Sequence, residues 1–145
     1  ASSSMPLVSP MVNIDGVPYL DGGVADSVPI RHALKSGNVK IIVVLTRNPG
    51  YRKKPVSKGT AKLYRKAYKS YQKMATCAVH RNRMYNRTME LVEKLEAEGR
   101  IYVIRPMVPT VSRLERDYDK LMSFYEHGYA LMKKEYANLL RYMEE

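Results

Sequence analysis

The 145-residue sequence predicts an α/β fold in which a strand, loop, helix and strand precede a mainly helical segment. Three observations predict this class. Residues 12–20 alternate in the manner of a hairpin, and residues 39–46 are nearly all apolar and β-branched. Beyond residue 58, apolar residues recur at helical spacing in three separate stretches.

The first 46 residues contain the predicted strand–helix–strand unit. Val12–Leu20 alternates around Asp15-Gly16, the residue pair that a type I′ hairpin turn prefers. A helix is expected from about Pro29 to Ser36, because proline suits a first helical turn and a glycine follows. The apolar run Val39–Thr46 predicts a strand buried on both faces, as in parallel sheets covered by helices.

The rest of the chain is predicted to be mainly helical. A basic surface loop is expected over 47–57, helices over 58–75 and 82–98, and a short strand over 101–104. A long terminal helix is expected to begin near Asp117. Its stripe of tyrosines and methionines is interpreted as core, since such stripes are more often packed inside a protein than used to hold a cofactor.

The charge is strongly positive and concentrated in one window. The chain has 25 Lys+Arg against 14 Asp+Glu, a formal net charge of +11. No acidic residue occurs between Ser27 and Met89, a window that holds 16 of the basic residues. Nucleic acid, anionic lipid surfaces and phosphorylated substrates are therefore the first partners to consider.

Several kinds of site are excluded by the residue types present. Cys77 is the only cysteine, which excludes an internal disulfide framework and favours a reducing compartment. The histidines His32, His80 and His127 are too widely separated to form a zinc site with it. No glycine-rich phosphate loop occurs, and the longest apolar run, Ile41–Leu45, is far shorter than the roughly 18 residues of a membrane span.

Asp21 is the strongest candidate for a chemical role. It stands at the carboxyl end of a predicted strand, followed by Gly22, Gly23 and a helix, at the edge of an α/β sheet where active sites collect. The glycines allow another backbone or a substrate to approach closely. Because Asp-Gly is also common turn chemistry, the residues alone leave a purely structural turn open.

A resemblance along the chain favours the catalytic alternative. It is carried, in order, by Ala1–Pro6, Ile14–Gly16, Tyr19–Val24, Pro29–Ile30, Leu45–Arg47, Gly50–Lys53, Ile101–Pro106, Ser112–Arg113, Glu115–Asp117, Tyr125 and Gly128-Tyr129. In this order the sequence resembles the patatin-like phospholipases, bacterial-type members in particular. The resemblance is strongest over residues 1–46, where an Ala-Ser segment with a nearby proline precedes a hairpin that ends in Asp-Gly-Gly.

The resemblance implies a serine hydrolase with a Ser-Asp dyad on a three-layer α/β/α sandwich, acting on phospholipids or other acyl esters. Asp21 matches the dyad aspartate, which accepts the proton of the nucleophilic serine directly. Gly22 and Gly23 match the turn that supports the catalytic loop. The family's Gly-x-Ser-x-Gly nucleophile elbow does not occur in this sequence, so the serines near Ala1 are not the nucleophile.

The chain is therefore expected to be the C-terminal half of a lipid-degrading hydrolase. Residues 1–46 would complete its catalytic domain, and residues 47–145 would form a basic loop and a mainly helical extension with the short strand near 101–104. The chain alone is expected to be inactive and to associate with the missing N-terminal half or with itself. A cytoplasmic protein without cofactor or metal is expected, and peripheral contact with the membrane is one of the interpretations left open for its basic residues.

Three interpretations of the basic window stay open. Its residues could lie against an anionic membrane, bind nucleic acid, or form a solvated face that acids of the upstream half partly match. Nucleic acid is the least favoured, because no recognisable binding motif occurs. The alternative to the hydrolase is a non-catalytic basic helical module that binds anionic membrane or a protein partner. The candidate contacts with an anionic surface are Arg52, Lys53, Lys54, Lys62, Arg65, Lys66, Lys69 and Lys73.

Overall fold

The computed structural model describes residues 1–112 and 114–144 and divides the chain into two compact units. Mixed helices and two small two-stranded sheets are compatible with the α/β class. No helix within the described residues is long and apolar enough to cross a membrane. Unit 1 contains Ala1–Pro29 and Arg52–Leu91, and unit 2 contains Ile30–Tyr51 and the described residues from Val92 onward.

The elements follow the order hairpin, helix, strand, two helices, strand and helix. In chain order they are β1 (Val12–Ile14), β2 (Val17–Tyr19), α1 (Ile30–Lys35), β3 (Ile42–Val44), α2 (Lys58–Ala67), α3 (Gln72–Ala97), β4 (Tyr102–Ile104) and α4 (Tyr118–Glu144).

An antiparallel hairpin begins unit 1, as the alternation of residues predicts. Strands β1 and β2 pair directly across their connecting turn. The turn residues Asp15 and Gly16 have φ values of +50° and +78°, the positive values that a type I′ turn requires at both positions. The hairpin prediction is confirmed, and β2 leads straight into the Asp-Gly-Gly segment.

The basic helix is shorter than predicted. The sequence predicts one helix over 58–75, whereas α2 ends at Ala67 and α3 begins at Gln72, ten residues before the predicted start at Asn82. The chain leaves helical geometry at Tyr68 (φ −114°, ψ 39°), whose buried side chain accepts a hydrogen bond from the Leu7 backbone N–H (2.8 Å). A tertiary contact thus outweighs a local pattern that would continue the helix.

The core of unit 1 is built from the segment after β2 and from both helices. Only part of the apolar row that begins beyond residue 58 lies in the core: Tyr64, Tyr68 and Ala75 are buried, whereas Leu63 and Tyr71 are about half exposed. The buried cluster comprises Val24, Tyr64, Tyr68, Ala75 and Ala78, with Met11, Leu20, Val56, Met74 and Val79 packed against it.

A two-stranded parallel sheet, in which β3 pairs with β4, lies in unit 2. The predicted strand over 101–104 is confirmed. The prediction that 39–46 is a strand buried on both faces is wrong, because only Val43 of β3 is buried, while Ile42 and Val44 are 41% and 70% exposed. A strand needs a covering layer on each side to be buried on both faces, and β3 has such cover on one side only.

The long terminal helix is confirmed, but its predicted role in the core is wrong. No residue of α4 is buried. The helix is held to unit 2 partly by polar contacts: the Tyr142 hydroxyl accepts a hydrogen bond from the Ile41 N–H (3.1 Å), and His127 Nε2 accepts one from the Met107 N–H (3.2 Å). Most of the tyrosines and methionines lie on another face, which is exposed.

Candidate functional site

The Asp-Gly-Gly segment forms a single 3₁₀ turn shortly after β2. Asp21 caps this turn, since its Oδ1 accepts a hydrogen bond from the Gly23 backbone N–H (2.8 Å). An aspartate suits this position because the first N–H groups of a helical turn lack backbone partners. The Asp21 N–H itself donates to the carbonyl of Ser4 (2.9 Å). Asp21 is thus held by its own turn and by the segment at the start of the chain.

One oxygen of the Asp21 carboxylate has no hydrogen-bond partner among the described residues. Oδ1 is used by the cap, whereas Oδ2 accepts no hydrogen bond from any residue of 1–112 or 114–144. The side chain is partly buried, so it differs from a freely rotating surface carboxylate. Such an oxygen can accept a proton from a hydroxyl that comes within about 3 Å.

The two glycines after Asp21 have different surroundings. A Cβ at Gly23 would lie 3.2 Å from Oδ1 and 3.8 Å from Cγ of Asp21, whereas a Cβ at Gly22 would meet nothing within 4 Å. Neither glycine has a positive φ. The requirement at Gly23 is therefore space for the carboxylate.

The turn is anchored in the core of unit 1. Val24, its last residue, is 5% exposed and packs in the cluster that contains Tyr64 and Tyr68. The hydroxyl of Ser27 donates to the Gly23 carbonyl (2.9 Å), which closes the turn on its far side. The candidate aspartate therefore stands on a packed support that includes α2, the helix with the basic face.

Five of the predicted surface contacts are exposed cations on or near α2. Lys62, Arg65 and Lys66 have the i, i+3, i+4 spacing of one helix face, Lys69 follows α2, and Lys73 lies at the start of α3. These five residues form what we call the basic surface. Within the described part of the chain, none of them is in an ion pair. The nearest stretches of sequence contain no acid that could neutralise them.

The other three predicted contacts, Arg52, Lys53 and Lys54, precede α2 in the loop. The Lys53 N–H donates to Asn86 Oδ1 (2.8 Å), and Asn86 Nδ2 donates back to the Lys53 carbonyl (3.0 Å). Lys53 Nζ lies 3.8 Å from the ring centre of Tyr85, a cation–π contact. Asn82 Nδ2 donates to the Lys54 carbonyl (2.8 Å). These contacts hold the loop against α3. The sequence feature that corresponds to them is the pair of asparagines, Asn82 and Asn86, four residues apart on the helix.

Unit 2 contains a polar cluster that no motif in the sequence indicates. The Tyr102 hydroxyl donates to Glu135 Oε2 (2.7 Å), which also accepts a hydrogen bond from Asn138 Nδ2 (3.1 Å). Burial, followed by the bond to Glu135, raises the pKa of Tyr102 to about 12. The hydrogen bonds from Tyr102 and then Asn138 lower the pKa of Glu135. The cluster links β4 to α4.

The described residues contain no geometry that supports a cysteine nucleophile or a metal site. Cys77 is an exposed free thiol on α3. The sequence prediction, with helices over 58–75 and 82–98, places it between two helices and is wrong at this point. Among the described residues, no group of three His, Cys, Asp or Glu side chains could hold a metal ion. Arg113, which carries part of the patatin-like resemblance, lies outside the described residues.

Comparison with protein families finds a match to the C-terminal half of the chain. The model of a family described as a domain of unknown function (DUF6363) matches residues 71–144, just over half of the 145 residues. The chain belongs to the DUF6363 family. The DUF6363 match includes α3, β4 and α4, whereas Asp21 and α2 lie outside it. No curated protein matches the chain.

Proposed function

We propose that this chain is part of a patatin-like serine acyl hydrolase, to which it contributes the aspartate of a Ser-Asp dyad. The observation that carries the proposal is the arrangement of Asp21, whose carboxylate is held through Oδ1 and has no described partner at Oδ2. The nucleophilic serine would come from a segment that precedes Ala1. The strands described above would contribute to a three-layer α/β/α sandwich in the complete catalytic domain.

In the proposed reaction, Asp21 acts as the general base without a histidine. Its Oδ2 accepts the serine proton as the serine oxygen attacks the ester carbonyl carbon, and the proton is then given to the leaving alcohol. Asp21 next takes a proton from the water that attacks the acyl-enzyme, and it returns this proton to the serine oxygen as the bond between that oxygen and the acyl carbon breaks and the carboxylic acid leaves. The hydrogen bond from Gly23 restricts the carboxylate to one orientation, which reduces the entropy lost on reaching the reactive geometry.

An isosteric substitution in the complete hydrolase tests this role. We expect Asp21→Asn to lower turnover of a simple acyl ester at least about 100-fold, because an amide cannot take up the serine proton. Asp15→Asn is the matched control, since it makes the same change in the hairpin turn, where φ is +50° and asparagine is well tolerated. Near-normal turnover by the Asp21 variant would refute the proposal.

The isolated chain provides an independent test. We expect the 145 residues alone to show no esterase activity, because the sequence contains no nucleophile elbow. Hydrolysis by the isolated chain that a serine-directed phosphonate inhibits would contradict this part of the proposal.

The basic surface favours a second function that is compatible with the first, contact with an anionic membrane. Lys62, Arg65 and Lys66 point away from the core that Tyr64 enters, and all three are exposed without a described ion pair. Each cation near an anionic bilayer contributes on the order of 1 kcal/mol. In a lipid hydrolase, this contact would bring the catalytic turn of the same unit to its substrate.

Sedimentation with lipid vesicles tests the membrane contact. We expect the chain to bind phosphatidylserine-containing vesicles at low salt, and binding to weaken in Lys62→Glu/Lys66→Glu and at high salt. Lys35→Glu/Lys134→Glu makes the same charge change at two exposed lysines outside the basic surface and should weaken binding less. An equal loss of vesicle binding in both double variants would contradict the membrane contact. Binding that does not depend on lipid charge or on salt concentration would contradict it as well. A steep salt dependence for DNA or RNA instead would favour nucleic acid.

A further inference from the structure

The exposed face of α4 contains an apolar stripe that unit 2 does not cover. Seven of its eight side chains are between 40% and 71% exposed, and the eighth is partly buried. Soluble proteins rarely leave so long a row of large apolar side chains in water without a partner. The stripe, as we call it, comprises Tyr118, Leu121, Tyr125, Tyr129, Met132, Tyr136, Leu140 and Met143.

The spacing within the stripe is the same in both directions. Successive members are separated by 3, 4, 4, 3, 4, 4 and 3 residues, so the row reads identically from either end of α4. This spacing contains an 11-residue period, which keeps a row of side chains on one side of a helix with a slight right-handed drift. A row with this symmetry is complementary to a second copy of itself that runs in the opposite direction.

We propose that the stripe binds the stripe of a second copy of this chain, as an antiparallel helix pair with two-fold symmetry. Two-fold interfaces place the same surface on both partners, so each contact occurs twice. The register given by the spacing sets Leu121 opposite Leu140 of the second copy and Tyr125 opposite Tyr136. Near the two-fold axis, Tyr129 faces Met132.

The surface at the centre of the stripe has the form that helix packing requires. Tyr129, Met132, Lys133 and Tyr136 line a shallow apolar hollow. These residues have the i, i+3, i+4, i+7 spacing of the four-residue hole that receives a side chain in knobs-into-holes packing. The proposed register places residues 128 and 129 of the second copy opposite this hollow. Gly128 presents no side chain there, which permits close approach of the two helices.

Charges beside the stripe favour a second copy as the occupant. Glu126 and Lys133 border the stripe on the same side, seven residues apart and therefore about 10 Å apart along the helix axis, too far to pair within one chain. In the antiparallel pair, Glu126 lies beside Lys133 of the second copy, and symmetry produces this ion pair twice. A parallel pair in register would not bring these two residues together.

Sedimentation velocity of the 145-residue chain tests the dimer, under reducing conditions because Cys77 is exposed. We expect a reversible monomer–dimer equilibrium over protein concentrations of about 1 to 200 µM. Glu126→Lys and Lys133→Glu should each raise the dimer Kd about tenfold or more. In each variant, residues 126 and 133 of the two copies place four charges of the same sign near the two-fold axis. The double variant Glu126→Lys/Lys133→Glu should return Kd to within about threefold of the original.

A neighbouring residue provides the matched control. Lys134→Glu makes the same charge change next to Lys133 but off the stripe, and it should leave Kd unchanged. All variants alter exposed side chains, so circular dichroism should show an unchanged helix content. A chain that stays monomeric throughout would overturn the proposal. A dimer insensitive to the single variants, or a double variant as weak as they are, would overturn the antiparallel register.

Discussion

Replacement of Gly23 by alanine should impair the proposed chemistry without unfolding the protein. The new Cβ would lie 3.2 Å from Asp21 Oδ1, below the 3.4 Å at which ordinary contacts begin, so the carboxylate must shift by a few tenths of an ångström. The displaced atom is the acceptor of the 2.8 Å hydrogen bond that holds Asp21. The geometric change is therefore concentrated on the group that would accept the serine proton.

The expected magnitudes differ for stability and for turnover. Weakening the hydrogen bond costs at most about 0.5–1.5 kcal/mol, and a Gly→Ala change at a compatible φ recovers about 0.4–1 kcal/mol by restricting the unfolded chain. The free energy of unfolding should thus change by less than about 1 kcal/mol. A 1 Å misplacement of a catalytic group can cost about 100-fold in rate, so a shift of a few tenths of an ångström should lower kcat about five- to tenfold.

Ester hydrolysis by the proposed complete hydrolase, measured together with thermal unfolding, checks this prediction. Gly22→Ala is the control, since its Cβ would meet nothing within 4 Å and its backbone has no positive φ. Equal kcat values for the two variants would refute the argument that Gly23 makes room for the Asp21 carboxylate. A large loss of stability in Gly23→Ala would show that the whole turn rearranges.

Two further predictions concern the stability of each unit. Asn86→Ala should lower the free energy of unfolding, measured by urea denaturation, by about 1–3 kcal/mol, because the Lys53 N–H and carbonyl both lose their partner. Asn82→Ala is the control: it removes a single hydrogen bond and should lower the free energy of unfolding less. Because the pKa of Tyr102 is raised from 10 to about 12, its contribution to stability is present below pH 10 and lost as the pH rises towards 12. Unfolding curves of Tyr102→Phe should lack this alkaline loss, and an unchanged profile would contradict it.

Local patterns predicted the elements whose boundaries depend on local chemistry. Asp15-Gly16 identified the hairpin because few residue pairs adopt two successive positive φ values. The β-branched run over 101–104 identified β4. The sequence pattern also placed Asp21 at the end of a strand, and the 3₁₀ turn that it caps lies there.

Contacts between distant residues could not be predicted in this way. The end of α2 is set where Tyr68 meets Leu7, 61 residues earlier in the chain. Likewise, the loop at Lys53 is held by Asn86, 33 residues later in the chain, and the four-residue spacing of the two asparagines does not indicate which segment they bind. The helix period alone would continue past Tyr68, because a periodic pattern contains no information about what its residues will touch.

The sequence by itself predicted the kinds of elements and determined the concentration of positive charge, because these depend on residue types and short spacings. The proposed role of Asp21 follows from the resemblance along the chain. Only the tertiary structure decided which apolar faces are buried. The outer side of β3 and the stripe on α4 have the same composition as a core, yet both are exposed. Burial depends on whether another layer covers a face, and that layer is supplied by residues far away in the chain or by another molecule.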